Sequence, residues 1–137
     1  MCENFMCKNF DEEIVADMFR QITETLERTR RLFATIAQPD DFCSSDEGWD
    51  KLDAISMRLL AVGEMLKNID RKTNQSLFAK YGGVDWTGFM GLRDVTAHEY
   101  YNLNPVKIFE ICSHEIEPLL ATVNQIINEL EGNHANP

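Results

Sequence analysis

A chain of 137 residues with 44% hydrophobic and 26% charged positions has material for one hydrophobic core and too little for two ordinary ones. Thirteen Lys and Arg against 23 Asp and Glu give a formal net charge of −10. This excludes binding of nucleic acid through a broad basic surface, whose affinity comes from neutralising phosphates, so any such contact must be local. No apolar run approaches membrane-spanning length and no signal-type segment precedes a small-residue cleavage site, so the expected compartment is the cytosol.

In chain order, residues 1–8 read as a loose tail. Asn9 with Glu12 three residues on offers a capping box, and Asp11, Glu12 and Glu13 suit a first helical turn. Ile14, Met18, Ile22, Leu26, Phe33 and Ile36 then mark an amphipathic helix of about 25 residues up to Ala37, closed by Pro39-Asp40-Asp41. Ser44 with Glu47 forms a second capping box. Behind it, Trp49, Leu52, Ile55, Leu59, Val62, Leu66 and Ile69 trace a second long helix to about Asp70, antiparallel to the first. Gly63 in its middle lowers helix stability relative to alanine, so close packing against a neighbour is its expected reason. Arg28, Arg30 and Arg31 near the end of one helix, and Arg71 and Lys72 near the end of the next, either complement helix dipoles or face a partner.

A weaker helical piece covers residues 74–80, and Tyr81-Gly82-Gly83 breaks it. Asp85 can cap a helix that begins near Trp86 and runs to about Tyr101. Asn104-Pro105 reads as the cap and first position of a last helix, whose apolar side carries Val106, Phe109, Ile116, Leu119, Leu120, Val123, Ile126, Ile127 and Leu130. Pro118 should kink or split that helix near residues 115–117, and Gly132 onward reads as a frayed tail. No stretch alternates like a strand and no internal repeat is present. The expected fold is an all-α, single-domain bundle of about five helices over residues 9–131, two of them long and antiparallel, with tails at 1–8 and 132–137.

Chemistry concentrates in Arg93-Asp94-Val95-Thr96-Ala97-His98-Glu99-Tyr100. On an ideal helix at about 100° per residue, Arg93 and Tyr100 share one face, while Asp94 and His98 are four apart on the neighbouring face. Arg93 and His98 stand roughly 140° apart on that helix, so both reach one phosphate only through the length of arginine or a distorted backbone. Imidazole, with an ordinary pKa of about 6.5, can take the proton from a ribose 2′-hydroxyl or protonate the leaving oxygen. Guanidinium can hold two non-bridging phosphate oxygens and offset the charge that grows in the transition state. Asp94 is suited to orient the imidazole. The competing reading is that His98 is a packed or solvated helix residue and that Tyr100 and Tyr101 are bundle-packing aromatics. His114 and His134 read as structural or solvated. Cys2, Cys7, Cys43 and Cys112 stand without metal-ligand spacing and read as free thiols, so neither a metal nor a cofactor is expected.

Trp86, the segment from Gly91 to Tyr101, the earlier Ala61-Val62-Gly63-Glu64 and the later Pro118-Leu119-Leu120 together resemble the HepT-like family of HEPN-domain proteins over nearly the whole chain. The resemblance implies a helical bundle, commonly a homodimer, acting as a metal-independent endoribonuclease toxin of a prokaryotic toxin–antitoxin pair. It makes Arg93 and His98 the catalytic pair on an RNA substrate, with the cleft formed across the dimer interface. Tyr100 becomes the hydroxyl that a minimal nucleotidyltransferase antitoxin modifies with AMP. Asp94 stands at a polar position that is often asparagine in wider relatives, which leaves its supporting role open. An alternative under the same resemblance is a catalytically silent HEPN protein that binds or regulates the nucleotidyltransferase.

Overall fold

The computed structural model describes residues 10–92 and 97–135, with Ala97, His98 and residues 133–135 described by their backbone alone. Among the described residues there are six α-helical segments and no strand. They are α1 (Glu12–Phe33), α2 (Asp46–Lys72), α3 (Trp86–Gly91), α4 (Ala97–Tyr100), α5 (Pro105–Glu110) and α6 (Ile116–Ala135). Helix α1 packs against both α2 and α6, and α2 packs in addition against α3. No helix among the described residues is long and apolar enough to cross a membrane.

Helix α1 is capped by Asp11, whose Oδ1 accepts from the backbone N–H of Glu13 at 3.0 Å and of Ile14 at 3.2 Å. The expected cap, Asn9, lies outside the described residues. The helix ends at Phe33 instead of Ala37. Two things stop it: Gln38 is extended ahead of Pro39, which disfavours helical geometry in the residue before it, and the Asp41 carboxylate takes the N–H groups of Ala37 and Gln38. A 3-10 turn over Pro39–Phe42 follows and buries Phe42 completely.

The buried face of α1 is Val15, Phe19, Ile22 and Leu26, whereas Ile14 is 49% exposed and Met18 only partly buried. Successive steps of four, as from Ile14 to Met18 to Ile22, drift by about 40° each around an α-helix, while mixed steps of four and three hold one face. The expected stripe was therefore out of phase in its first two turns.

Ser45, not Ser44, caps α2: its Oγ accepts from Gly48 N–H at 3.0 Å. With that cap the third helical position is Gly48, so Glu47 makes no box. Glycine is required there, because a Cβ would lie 2.1 Å from the Asp41 carbonyl oxygen. The α2 stripe from Leu52 to Ile69 matches expectation, with each of Leu52, Ile55, Leu59, Val62, Leu66 and Ile69 at most 2% exposed. Gly63 is buried beside it, while Trp49, expected on the same stripe, is 46% exposed. The helix runs past Asp70 to Lys72.

Of the expected helical piece at 74–80 only a 3-10 turn, Phe78–Lys80, is present. Asn74 and Gln75 adopt left-handed backbone angles (φ 55° and 60°), which α-helix cannot accommodate. The reversal directs Phe78 inward, edge-on to Phe19 at 6.2 Å and stacked on Trp86 at 4.2 Å. The Trp86 indole N–H donates to the Tyr81 carbonyl at 2.8 Å, so this aromatic column fixes the start of α3 against α1.

Asn104 caps α5 as expected, accepting from the N–H groups of Val106 and Lys107 with Pro105 in the first turn. Val106, expected on the apolar side, is 50% exposed. Pro118 acts upstream of itself. Lacking an N–H and crowding the carbonyl four residues earlier, it is accommodated by a π-helical turn over Ile111–Glu115, after which α6 starts at Ile116. The backbone of α6 stays helical through Gly132 to Ala135. Arg20 pairs with Asp17 and Glu131, and Arg30 with Glu27 and Glu117, so exposed ion pairs link α1 to α6. Arg30 and Arg31 lie in the last turn of α1, and Arg71 and Lys72 in that of α2, where they complement the helix dipoles.

Because Leu66 is fully buried, Leu66→Ala should lower stability by about 2–5 kcal/mol in urea titration. Glu117→Gln, which breaks an exposed pair, should leave the urea midpoint nearly unchanged. Burial pushes the Cys112 thiol up to about 12. Iodoacetamide at mildly alkaline pH should therefore label exposed Cys43 and spare Cys112 until urea is added, as peptide mass mapping would read.

Candidate functional site

Of the helix expected from Trp86 to about Tyr101, two pieces are described, with residues 93–96 between them outside the described residues. Helix α3 begins at Trp86 with Asp85 accepting from Gly88 N–H at 3.0 Å, and reaches its C-cap at Leu92. Helix α4 is the single turn Ala97–Tyr100. Arg93 and Asp94 lie outside the described residues, as does the side chain of His98. The backbone of His98 belongs to α4, two residues from Tyr100.

Tyr100 is placed in full. Its hydroxyl donates to Asp53 Oδ1 at 2.8 Å, tying α4 to α2. The phenol is held above its ordinary pKa, first because the neutral hydroxyl donates to the carboxylate, then through desolvation and the nearby negative charge. Tyr100 is nevertheless 43% exposed, and its neighbour Tyr101 is 86% exposed. The two rings meet edge to face with centroids 5.5 Å apart. Backbone hydrogen bonds from Asn102 to the Glu99 carbonyl and from Leu103 to the Tyr100 carbonyl close the turn ahead of the α5 cap.

Beneath these rings lies a cavity of about 520 Å³, walled chiefly by Met57, Leu60, Leu92, Leu103 and the two tyrosines. Its polar contributions from α2 are Asp53 and Ser56. The Ser56 hydroxyl oxygen is buried and has no hydrogen-bond partner. Asp53 and Ser56 did not stand out in the motif-based reading of the sequence. The available signal was a second face on α2: Asp53, Ser56, Met57 and Leu60 recur at helical spacing beside a core stripe already complete without them. Met57 is 64% exposed on that face. No group of three or more His, Cys, Asp or Glu side chains able to hold a metal occurs among the described residues.

Residues 22–126 match the family model described as Ribonuclease HepT-like. The chain belongs to the HepT-like ribonuclease family. Among curated proteins it is similar to three from Methanocaldococcus jannaschii. The one named "Putative RNase MJ0127" is 29% identical over 83 residues, covering 61% of this chain and 65% of that protein. "Putative RNase MJ1216" is 25% identical over 83 residues, with the same coverage of 61% and 65%. "Gamma-glutamylcyclotransferase and putative RNase MJ0434" is 26% identical over 84 residues, 61% of this chain and 36% of that protein. The matches thus span at most about two-thirds of the length of these relatives. No solved structure gave a significant match.

The Tyr100 to Asp53 bond in this HepT-like chain has a measurable signature. Phenolate beside a carboxylate is repelled whereas the neutral phenol is bonded, so the bond contributes at neutral pH and is lost as pH rises through the elevated pKa. The difference between ultraviolet titrations of wild type and Tyr100→Phe isolates this tyrosine. It should ionise above the ordinary value of about 10, and Asp53→Asn should bring its ionisation back down. An unchanged titration in Asp53→Asn would contradict the bond.

Proposed function

We propose that this protein is a metal-independent endoribonuclease and the toxin of a prokaryotic toxin–antitoxin pair, switched off when a nucleotidyltransferase antitoxin adds AMP to Tyr100. Family membership over residues 22–126 supports the ribonuclease part of this reading. The observation that carries the switch is the position of Tyr100: a partly exposed side chain, its hydroxyl bonded to a carboxylate, on the same helical turn as His98.

In the proposed reaction His98 takes the proton of a ribose 2′-hydroxyl, whose oxygen attacks the adjacent phosphorus. The P–O5′ bond breaks, leaving a 2′,3′-cyclic phosphate and a 5′-oxygen that takes the proton back from the His98 imidazolium. Arg93 binds the non-bridging oxygens and offsets their growing charge, and Asp94 orients the imidazole. Each step uses side chains and RNA alone. The excess negative charge of the chain suits a locally positive cleft better than a long RNA track. Pairing of two copies as a homodimer would bring two motifs to one groove.

Inactivation follows from the same geometry. Tyr100 Oη attacks the α-phosphorus of ATP, pyrophosphate leaves, and the hydroxyl proton passes to Asp53, which already accepts its hydrogen bond. The product can no longer donate to Asp53, and its phosphate is repelled by that carboxylate. The adenylyl group brings an anion that can pair with a guanidinium such as that of Arg93 and so exclude an RNA phosphate.

The test is cleavage of a mixed RNA by purified protein in EDTA, with intact mass reporting on Tyr100. Unmodified wild type should cleave, His98→Ala should lose about 100-fold or more, and protein adenylylated by the partner should be silent while Tyr100→Phe escapes silencing. Equal cleavage by His98→Ala would overturn the catalytic assignment. No cleavage by folded, unmodified wild type would favour a protein that only binds the nucleotidyltransferase.

A further inference from the structure

We infer that the cavity between α2 and the α4 turn is a subsite for one nucleobase of the RNA next to the cleaved bond. The inference rests on the ribonuclease reading above and adds to it a place where base identity is read.

Four observations converge. The cavity, about 520 Å³, lies within the range of about 300–1,000 Å³ typical of small-ligand sites, and like them it is mainly apolar with few polar groups. Its mouth carries Tyr101, 86% exposed and braced edge-on by Tyr100, which leaves an aromatic face open for stacking a base. Its lining includes Ser56, whose hydroxyl oxygen is buried and unpartnered. A buried polar atom without a partner is rare in a folded protein, and a turn about χ1 would bring it to a ligand edge in the cavity. Finally, Asp53 uses Oδ1 for Tyr100, and its second oxygen can accept from an amino group on a base.

These groups also predict what is read. A carboxylate oxygen accepts and does not donate, so it suits the exocyclic amines of cytosine, adenine and guanine, whereas on uracil it meets a single N3–H flanked by two carbonyl oxygens that repel it. The serine hydroxyl can donate or accept and completes the edge in either sense. Because α4 carries the backbone of His98 as well as Tyr100, a base seated here leaves its own ribose and phosphate beside that turn.

The test has two independent readings. Titration of the folded protein with CMP, AMP, GMP and UMP, followed at the Met57 methyl by NMR and assigned with Met57→Leu, reports occupancy without requiring catalysis. The first three should shift the signal, UMP should bind at least several-fold more weakly, and both Leu60→Trp, which fills the cavity, and the surface variant Tyr101→Ala should weaken all binding. No shift with any nucleotide overturns the subsite, and response to AMP alone reassigns the cavity to the adenine of a modified Tyr100. Sequencing of RNA ends should then show wild-type cuts depleted at uridine, and the depletion relaxed in Ser56→Ala and Asp53→Asn. An unchanged cut distribution overturns the subsite and leaves the ribonuclease standing, whereas absence of any wild-type cutting overturns the ribonuclease and leaves the methyl shifts to decide the subsite. Light scattering on Leu60→Trp closes the experiment: a changed oligomeric mass would make the cavity a contact between copies instead.

Discussion

Burial of the α2 stripe against α1 and α3 is the constraint on which the rest of this structure depends. Leu52, Ile55, Leu59, Leu66 and Ile69 are at most 1% exposed, and in a close-packed interior such residues leave the helix no freedom to rotate. Asp53 is one residue beyond Leu52, about 100° around the helix. Once the stripe is buried, Asp53, Ser56 and Met57 have to face the side on which α4 arrives. The helix that makes the core therefore also sets the position of the carboxylate that holds Tyr100.

The helices that flank the motif rest on thinner supports. Between α2 and α6 the chain passes through α3 and α4, described over six and four residues, and α5, which runs through the π-helical turn into α6. Helices of four to six residues are too short to be stable by themselves. Each is held by particular interactions: Asp85 and Asn104 as caps, the Phe19, Phe78 and Trp86 column, and the Tyr100 to Asp53 bond. Segments secured by a few polar and aromatic contacts open more easily than core helices. For a site proposed to be switched by modification of one tyrosine this matters, because removing one hydrogen bond there changes a larger share of what holds the segment than it would within α2.

The frame was readable before any coordinates because its signals are periodic and local. The α2 stripe, the Asp85 and Asn104 caps and the breaking effect of Pro118 all follow from spacing and backbone chemistry. Readings failed where two local signals competed. Ser45 caps α2 in place of the expected Ser44, and the close approach of Gly48 to the Asp41 carbonyl accompanies that choice. Residues 74–80 have adequate helical composition, but Asn74 and Gln75 take left-handed angles that let Phe78 reach Phe19 and Trp86. Ile14 and Met18 looked like core until the true phase of α1 put Val15 and Phe19 there.

The sequence by itself determined the all-α class, the two long helices and the family, and it supplied the residues proposed for the chemistry, because helical periodicity, caps and motif spacing are properties of neighbours along the chain. Only the tertiary structure decided that Asp53 is the partner of Tyr100, 47 residues away, and that a cavity with a buried, unpaired serine hydroxyl opens beside them. Such relations depend on how α2 is rotated and where α4 docks. Both are set by packing of the whole core, which no local stretch of sequence contains.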